Sequence, residues 1–228
     1  MNTGLILFDF DGTLYRGDAP FYFYAERLAD RLRTDERDAY LAKVETYLQG
    51  DLPMEANDYW EATVELALPY GLDSQGAMAA FVETRAYMND AGCPLDVPQE
   101  LRDFLAEYQG RAILAVASNS PDEAAIPLMR RLDLLKYFDS ITTAAGKPAG
   151  LKAAVHAAWG GEPPAHRVIS VGDHYINEIQ PALAQGWGAV HISPRCQFPG
   201  PSSFQARNIE AALPFLREWI KEREREGR

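Results

Sequence analysis

The chain has 228 residues, enough for one large domain or for one domain that carries a sizeable insertion. Apolar residues make up 47% of the sequence and charged residues 24%, ordinary proportions that exclude a disordered, collagen-like or coiled-coil chain. The formal net charge of −11 argues against nucleic-acid binding and against an anionic membrane surface, because the protein's field repels polyanions.

The N-terminal segment predicts neither a signal peptide nor a membrane span, because its apolar stretch is short and is interrupted by Asp9 and Asp11. The two cysteines, Cys93 and Cys196, lack the spacing of a zinc site or of a CxxC redox motif. We therefore expect reduced thiols in a cytoplasmic protein.

Short, nearly continuous apolar runs predict strands that are covered on both faces, as in a parallel sheet. Helical patterns alternate with these runs, which favours an α/β fold. The predicted strands are residues 5–10, 111–118, 167–171 and 189–193, with a weaker strand at 140–143, and the predicted helices between them are 98–108, with Pro98 in the first turn, 122–132 and 149–158.

Residues 17–95 break this alternation and predict a helical insertion between the first and second strands. The insertion holds 15 acidic residues against 6 basic ones, a pattern that solvated helix faces explain. The predicted domains are accordingly a core of residues 1–16 and 96–228 and a helical domain of residues 17–95. The helical patterns within the insertion cover residues 19–32, 35–48, 53–68 and 74–88.

Two carboxylates, Asp9 and Asp11, come at the carboxyl end of the first predicted strand, where ligands bind in open α/β sheets. Alternation along the strand would direct both side chains into one cavity, with Phe10 packed behind them. Two acids so close together in an apolar setting need a cation or a shared proton, and hard carboxylate oxygens favour Mg²⁺.

Polar residues after the later strands could complete such a site. Asp173 again ends an apolar run and is followed by Asn177-Glu178 at a predicted helix start. Ser118 and Asn119 offer a hydroxyl and an amide beside the N-terminus of the next helix, a favourable place for an anion. Lys147 adds a cation in a later loop. Together these residues predict a site in which hydroxyl, amide and ammonium groups bind a phosphate next to a magnesium ion that carboxylates hold.

The sequence resembles the haloacid dehalogenase-like (HAD) hydrolase superfamily, whose members are mostly phosphatases. DFDGTL at 9–14 is similar to its first motif, Ser118 to its second, Lys147-Pro148 to its third, and Gly172-Asp173 with Asn177-Glu178 to its fourth. The four motifs occur in the family's order. The resemblance implies a Rossmann-like parallel-sheet core with an α-helical cap domain inserted after the first motif.

The resemblance also implies catalytic and metal-binding roles. Asp9 would attack phosphorus to form an aspartyl-phosphate, and Asp11 would protonate the leaving oxygen and later accept a proton from water. Mg²⁺ would be held by Asp9, by the backbone carbonyl of Asp11 and by Asp173, and would neutralise charge between nucleophile and phosphoryl group.

The remaining motif residues are implied to bind phosphate or to support the metal site. Ser118, Asn119 and Lys147 would hold the phosphoryl oxygens, where most of the transition-state charge lies. Asn177 and Glu178 would act on the metal through water. Glu178 stands where an Asp is commoner in the family, so its longer side chain is a departure from the pattern.

The expected activity is Mg²⁺-dependent hydrolysis of a small phosphate monoester. A phosphomutase of the beta-phosphoglucomutase kind uses the same four motifs and stays open as an alternative. A 2-haloacid dehalogenase is less favoured, because no oxygen leaving group needs the acid Asp11. Residues 51–95 include eight acidic residues and a single cation, Arg85, which predicts a leaving group that is small or uncharged.

Overall fold

The computed structural model describes residues 3–52, 54, 56, 58–193 and 200–226. Contacts divide the chain into two compact units, Met1–Arg16 with Asp96–Arg228, called here the α/β unit, and Gly17–Leu95, called here the helical unit. Within the described ranges, no helix combines the length and the apolar character needed to cross a membrane.

The α/β unit is built on a sheet in which all described strands are parallel, which confirms the predicted α/β class. The strand order is β3-β2-β1-β4-β5-β6. The last of these strands was not predicted. The strands are β1 (Leu5–Phe8), β2 (Ile113–Ala117), β3 (Ser140–Thr142), β4 (Val168–Gly172), β5 (Gly188–Ile192) and β6 (Phe204–Ala206).

Helices connect the strands. The predicted helices lie within two residues of the observed ones, although Pro98 precedes the first turn because its backbone is extended (φ −52°, ψ 135°). The α/β-unit helices are α5 (Gln99–Tyr108), α6 (Asp122–Arg131), α7 (Leu151–Trp159), α8 (Gln180–Ala184) and α9 (Ile209–Glu226).

The strand order reverses on either side of β1, where β2 and β4 are its two neighbours. Phe8 at the end of β1 is in register with Val116 of β2 and with Val171 of β4, so the three strands end at nearly the same level. In open α/β sheets the crevice beyond such a reversal is where ligands bind. The residues that follow β1, β2 and β4 therefore share one edge of the sheet.

The helical unit has an aromatic core. The Trp60 ring packs against those of Tyr24 and Phe81, at centroid distances of 5.3 and 5.6 Å, and Tyr40 is fully buried and donates to the Thr63 carbonyl. These contacts bury large side chains inside the helical unit and so stabilise the packing of its short helices. The helices are α1 (Ala19–Ala29), α2 (Thr34–Gln49), α3 (Tyr59–Ala67) and α4 (Ser74–Asn89).

The predicted start of α3 at residue 53 was too early. The Asp58 side chain accepts the Glu61 N–H at 2.7 Å and caps the helix there, so the first turn begins at Tyr59. Residues 53, 55 and 57 lie outside the described residues. Cys93 is buried, whereas Cys196 lies outside the described residues.

Candidate active site

Asp9 follows β1 directly. Its backbone N–H donates to the Val171 carbonyl at 2.8 Å and so continues the pairing of β1 with β4. Its side chain is buried, and Oδ1 accepts a hydrogen bond from Lys147 Nζ at 2.5 Å. Burial raises the pKa of Asp9, whereas the ammonium of Lys147 opposes that rise. The ionised carboxylate therefore depends on Lys147.

Lys147 lies between two buried carboxylates. Its Nζ is 2.5 Å from Asp9 Oδ1 and 2.7 Å from Glu178 Oε1, and its side chain is 2% exposed. Burial alone would lower the pKa of Lys147, but Asp9 and Glu178 outweigh burial and raise it above its ordinary value. The lysine is therefore a permanent cation at the carboxyl end of β1.

Asn119 holds the backbone of Lys147 at two points. Asn119 Oδ1 accepts the Lys147 N–H at 2.7 Å, and Asn119 Nδ2 donates to the Lys147 carbonyl at 3.1 Å. The contacts of this side chain are thus with the lysine loop, and a direct role of Asn119 in phosphate binding stays a prediction. The paired bonds fix the loop from which the ammonium reaches Asp9.

β1 ends at Phe8, two residues earlier than predicted, and Asp11 lies in the turn that follows the strand. The N–H groups of Thr13 and Leu14 both point to the Phe10 carbonyl, at 3.4 and 3.1 Å. The strand alternation from which a common direction for Asp9 and Asp11 was predicted therefore does not reach Asp11. The turn sets its direction instead.

Two hydroxyl groups hold the Asp11 carboxylate. Tyr15 donates to Oδ1 at 2.6 Å, and Ser120 Oγ donates to Oδ2 at 2.9 Å. The Tyr15 ring packs edge-on against Phe10, with centroids 5.2 Å apart. Neither the contact of Tyr15 with Asp11 nor that of Ser120 was predicted from the sequence. The spacing of four residues between Asp11 and Tyr15, one turn of helical backbone, was the available signal for the tyrosine.

Ser118 comes directly after β2 and is buried. Its N–H donates to the Thr142 carbonyl at 2.9 Å, and its Oγ accepts the Ser120 N–H at 3.1 Å. Because the oxygen accepts that bond, the hydroxyl proton is available to donate to another group. Ser118 thus has the character of a hydrogen-bond donor at the sheet edge.

Asp173 follows β4 and is half-buried. An ideal Cβ on Gly12 would lie only 2.1 Å from Asp173 Oδ2, and Gly12 has φ +81°. The missing side chain of Gly12 therefore lets the Asp173 carboxylate approach the turn that carries Asp11. The backbone carbonyl of Asp173 lies 3.1 Å from Nε2 of His191, a buried residue whose pKa is lowered by burial.

Glu178 lies in a short π-helical turn, Tyr175–Ile179, that precedes α8. Its Oε2 accepts the His174 N–H at 2.8 Å, while Oε1 faces Lys147. Burial raises the pKa of Glu178 despite the neighbouring ammonium. Asn177, in the same turn, is half-buried and donates its backbone N–H to His174 Nδ1 at 3.3 Å.

A protein-family model for haloacid dehalogenase-like hydrolases matches residues 3–186, which include the described residues of the helical unit and every site residue predicted from the sequence. The chain belongs to this family. No curated protein is detectably similar to it in sequence.

Solved structures of other HAD-family proteins share the fold at low identity. YfnB from Bacillus subtilis, assigned as a HAD-hydrolase and bound to magnesium, has a TM-score of 0.62 and 17% identity over 95% of this chain and 99% of its own. A HAD phosphatase from Thermococcus onnurineus has a TM-score of 0.58 and 18% identity, over 94% and 96%. A 2-haloacid dehalogenase from Pseudomonas syringae has a TM-score of 0.55 and 21% identity, over 96% and 100%.

The residues of this HAD-family site fit a magnesium ion that keeps several water ligands. Among the described residues, no three His, Cys, Asp or Glu side chains form a metal-binding cluster. The predicted set needs only two carboxylates, Asp9 and Asp173, with the Asp11 carbonyl, and Mg²⁺ ordinarily takes one or two carboxylates and keeps its water. One ammonium, that of Lys147, faces two buried carboxylates, so a further positive charge would stabilise the ionised site.

Proposed function

We propose that this HAD-family protein is a Mg²⁺-dependent phosphatase that hydrolyses a small phosphate monoester through an aspartyl-phosphate on Asp9. The observation that carries the proposal is the pair of carboxylates at the end of β1. Asp9 is buried against Lys147, whereas Asp11 is held by two hydroxyl groups. The two carboxylates thus have different surroundings, which supports different roles for them.

The proposed reaction has two displacements at phosphorus. In the first, a carboxylate oxygen of Asp9 forms a bond to phosphorus while the ester P–O bond breaks, and Asp11 gives its proton to the leaving alcohol. In the second, Asp11 takes a proton from a water molecule as that water attacks phosphorus. This step breaks the bond to Asp9 and releases inorganic phosphate.

Ser118 and Lys147 would stabilise the charge on the phosphoryl oxygens. The Ser118 hydroxyl has a proton to donate, and the Lys147 ammonium already lies 2.5 Å from the proposed nucleophile. Asn119 would contribute through the lysine loop that it holds.

Asp9, Asp173 and the Asp11 carbonyl would hold Mg²⁺, which when bound supplies charge neutralisation beside the nucleophile. Glu178 contacts Lys147, which supports a role through the ammonium, alongside the water-mediated role implied for Glu178 and Asn177.

Asp11 favours ester hydrolysis over dehalogenation. Halide leaves without a proton, so a dehalogenase gains nothing from an acid two residues after its nucleophile, although one of the similar structures is a 2-haloacid dehalogenase. A phosphomutase would need the same acid and differs in what its site admits. Asp11 therefore favours a phosphatase over a dehalogenase. It does not distinguish a phosphatase from a mutase, which only an experiment can do.

The helical unit supports a substrate with an uncharged leaving group. Arg85 is the single cation of residues 51–95, and it is buried beside the Met88 sulfur and the Phe81 ring. This stretch thus offers no exposed ammonium or guanidinium to a second phosphate, and the unit's excess of acidic residues repels polyanions. A substrate panel in which a bisphosphate is the best ester would contradict this part of the proposal.

The deciding experiment measures inorganic phosphate released from a panel of phosphate monoesters, with Mg²⁺ and with EDTA, using Asp9→Asn as the blank. We expect release that needs both Mg²⁺ and Asp9. Halide release from 2-chloropropionate in place of phosphate release would establish the dehalogenase. Isomerisation of a hexose phosphate that exceeds its hydrolysis would establish the mutase.

A further inference from the structure

In the proposed first step the Asp11 carboxyl group must face the leaving-group oxygen. This carboxylate accepts hydrogen bonds from two sides. Tyr15 reaches Oδ1 from one turn further along the chain, and Ser120 reaches Oδ2 from the segment after β2. Tyr15 and Ser120 are both buried, at 8% and 9% exposure. Hydrogen bonds shielded from water hold a side chain more firmly than exposed ones.

We infer that Tyr15 and Ser120 are positioning residues that aim Asp11 at the leaving-group oxygen, an inference that rests on the proposed function. Both carboxylate oxygens accept a hydroxyl proton, which fixes the rotation of the carboxylate plane. A carboxylate oxygen has two lone pairs, so a hydroxyl bonded to one of them does not by itself block proton transfer at the other. The two hydroxyls therefore restrain Asp11 without occupying the positions that proton transfer needs.

Ser120 also links the acid to the proposed phosphate-binding residue. Its side chain donates to Asp11, while its backbone N–H donates to Ser118 Oγ at 3.1 Å. One residue thus orients both the hydroxyl expected to bind the phosphoryl group and the acid expected to protonate the leaving oxygen. Ser120 therefore couples the position of the acid to that of the proposed phosphate-binding hydroxyl.

The test compares esters that differ in their need for an acid. 4-Nitrophenyl phosphate has a good leaving group and needs little protonation, whereas glycerol phosphate has a poor one. The quantity measured is the ratio of kcat/KM for the nitrophenyl ester to kcat/KM for the glycerol ester, since kcat/KM reports the step in which the alcohol leaves. Loss of an aimed acid raises this ratio, whereas a general loss of active protein leaves it unchanged.

We expect Tyr15→Phe and Ser120→Ala each to raise the ratio by about tenfold, and Asp11→Asn to raise it further, by about 10²-fold or more. Ser120→Thr keeps the hydroxyl and should restore the ratio to within about twofold of the original protein. Tyr40→Phe is the matched control, because it removes a buried tyrosine hydroxyl that bonds the Thr63 carbonyl in the helical unit. Thermal unfolding shows whether each variant is folded, and the two single variants are independent tests.

The outcomes separate this inference from the proposed function. If Asp11→Asn raises the ratio and neither folded Tyr15→Phe nor folded Ser120→Ala does, the positioning role is wrong and the phosphatase assignment stands. If Asp11→Asn leaves the ratio unchanged, Asp11 is not the acid and both the mechanism and this inference fail. A protein that releases phosphate from no ester of the panel contradicts the proposed function itself.

Discussion

The two units of the chain bury polar groups in different ways. The α/β unit encloses an ionic cluster in which Lys147 faces Asp9 and Glu178, all of them nearly inaccessible to solvent. The helical unit encloses aromatic rings, and its deeply buried hydroxyls, such as those of Tyr40 and Thr84, bond to backbone carbonyls of the same unit. Buried hydroxyls that are hydrogen-bonded in this way are compatible with a stable fold, whereas buried like charges destabilise it.

This difference teaches where to look for chemistry. Desolvation of two carboxylates beside one ammonium costs free energy that an apolar cluster of the same volume would not cost. A protein keeps such a cluster where a function requires it, and active sites are where ionisable groups are commonly buried with shifted pKa values. Substitutions in the ionic cluster should therefore change activity or stability more than matched substitutions in the helical unit.

The largest difference is expected for Asp9→Asn. Loss of the nucleophile should lower kcat by about 10⁴-fold or more, while the free energy of unfolding stays equal or rises, because burial disfavours the charge of Asp9. Phosphate release and urea unfolding measure the two quantities. The matched control in the helical unit is Asp73→Asn, which keeps the cap on the Gly76 N–H and should change neither. Full turnover by Asp9→Asn would contradict the proposed reaction.

Lys147→Met should cause the largest loss of stability. Removing the ammonium leaves Asp9 and Glu178 buried without their cation, which costs about 3–5 kcal/mol of unfolding free energy in urea titrations with EDTA present. Combining it with Glu178→Gln removes one of the two charges and should recover part of the loss.

Lys43→Met is the control for this lysine. Lys43, the lysine of the helical unit, is exposed and lies 4.8 Å from the centre of the Tyr70 ring, a contact worth about 0.5–1 kcal/mol. Equal losses for the two lysine variants would show that the buried cluster is not under the electrostatic constraint inferred above.

Asn119→Ala tests a smaller contribution, the two bonds to the Lys147 backbone. A looser lysine loop should lower kcat/KM by about tenfold, since small displacements of a charged group reduce its effect on the transition state. Asn89→Ala is the control, because Asn89 Nδ2 donates to the Arg85 carbonyl at 3.0 Å in the helical unit. If both variants retain full kcat/KM, Asn119 has no positioning role.

The main elements of the fold could be predicted because their patterns are local. The runs that became β1 and β2 are apolar throughout, and those that became β4 and β5 are each interrupted by one residue, Ser170 or His191, so all four could be recognised. β6 has three residues and α8 has five, so neither carries a readable period. The beginning of α3 depended on the Asp58 cap, a single hydrogen bond that a helical pattern does not indicate.

The sequence indicated candidate residues for the site but not the contacts between them. Asp9, Ser118 and Asp173 could be chosen because each follows a recognisable strand and matches a family motif. Their partners depend on side chains that are distant in sequence, such as Ser120 on Asp11, 109 residues away, and Asn119 on Lys147, 28 residues away. No local pattern encodes such contacts.

The smallest expected effect is the pH dependence of the free energy of unfolding. Histidine titration affects only the α/β unit, because all four histidines lie there. Burial lowers the pKa of His191 below 6.5, its ordinary value. Above that pH the folded and unfolded chains both carry a neutral imidazole. As the pH falls through about 6.5, the unfolded chain takes up the proton first, so stability is lost by at most about 1.4 kcal/mol per pH unit.

Replacement of this histidine isolates its contribution, since Glu178 acts in the opposite sense. Burial raises the pKa of Glu178, so the folded chain binds that proton more tightly and gains stability as the pH falls. The difference in unfolding free energy between the original protein and His191→Gln should therefore change between pH 7 and pH 5, in urea titrations without metal. Tyr40→Phe in the helical unit is the control and should give a constant difference, because burial raises the pKa of the Tyr40 hydroxyl and keeps it neutral over this pH range. A constant difference for His191→Gln as well would mean that the buried imidazole is protonated as readily in the folded chain as in the unfolded one.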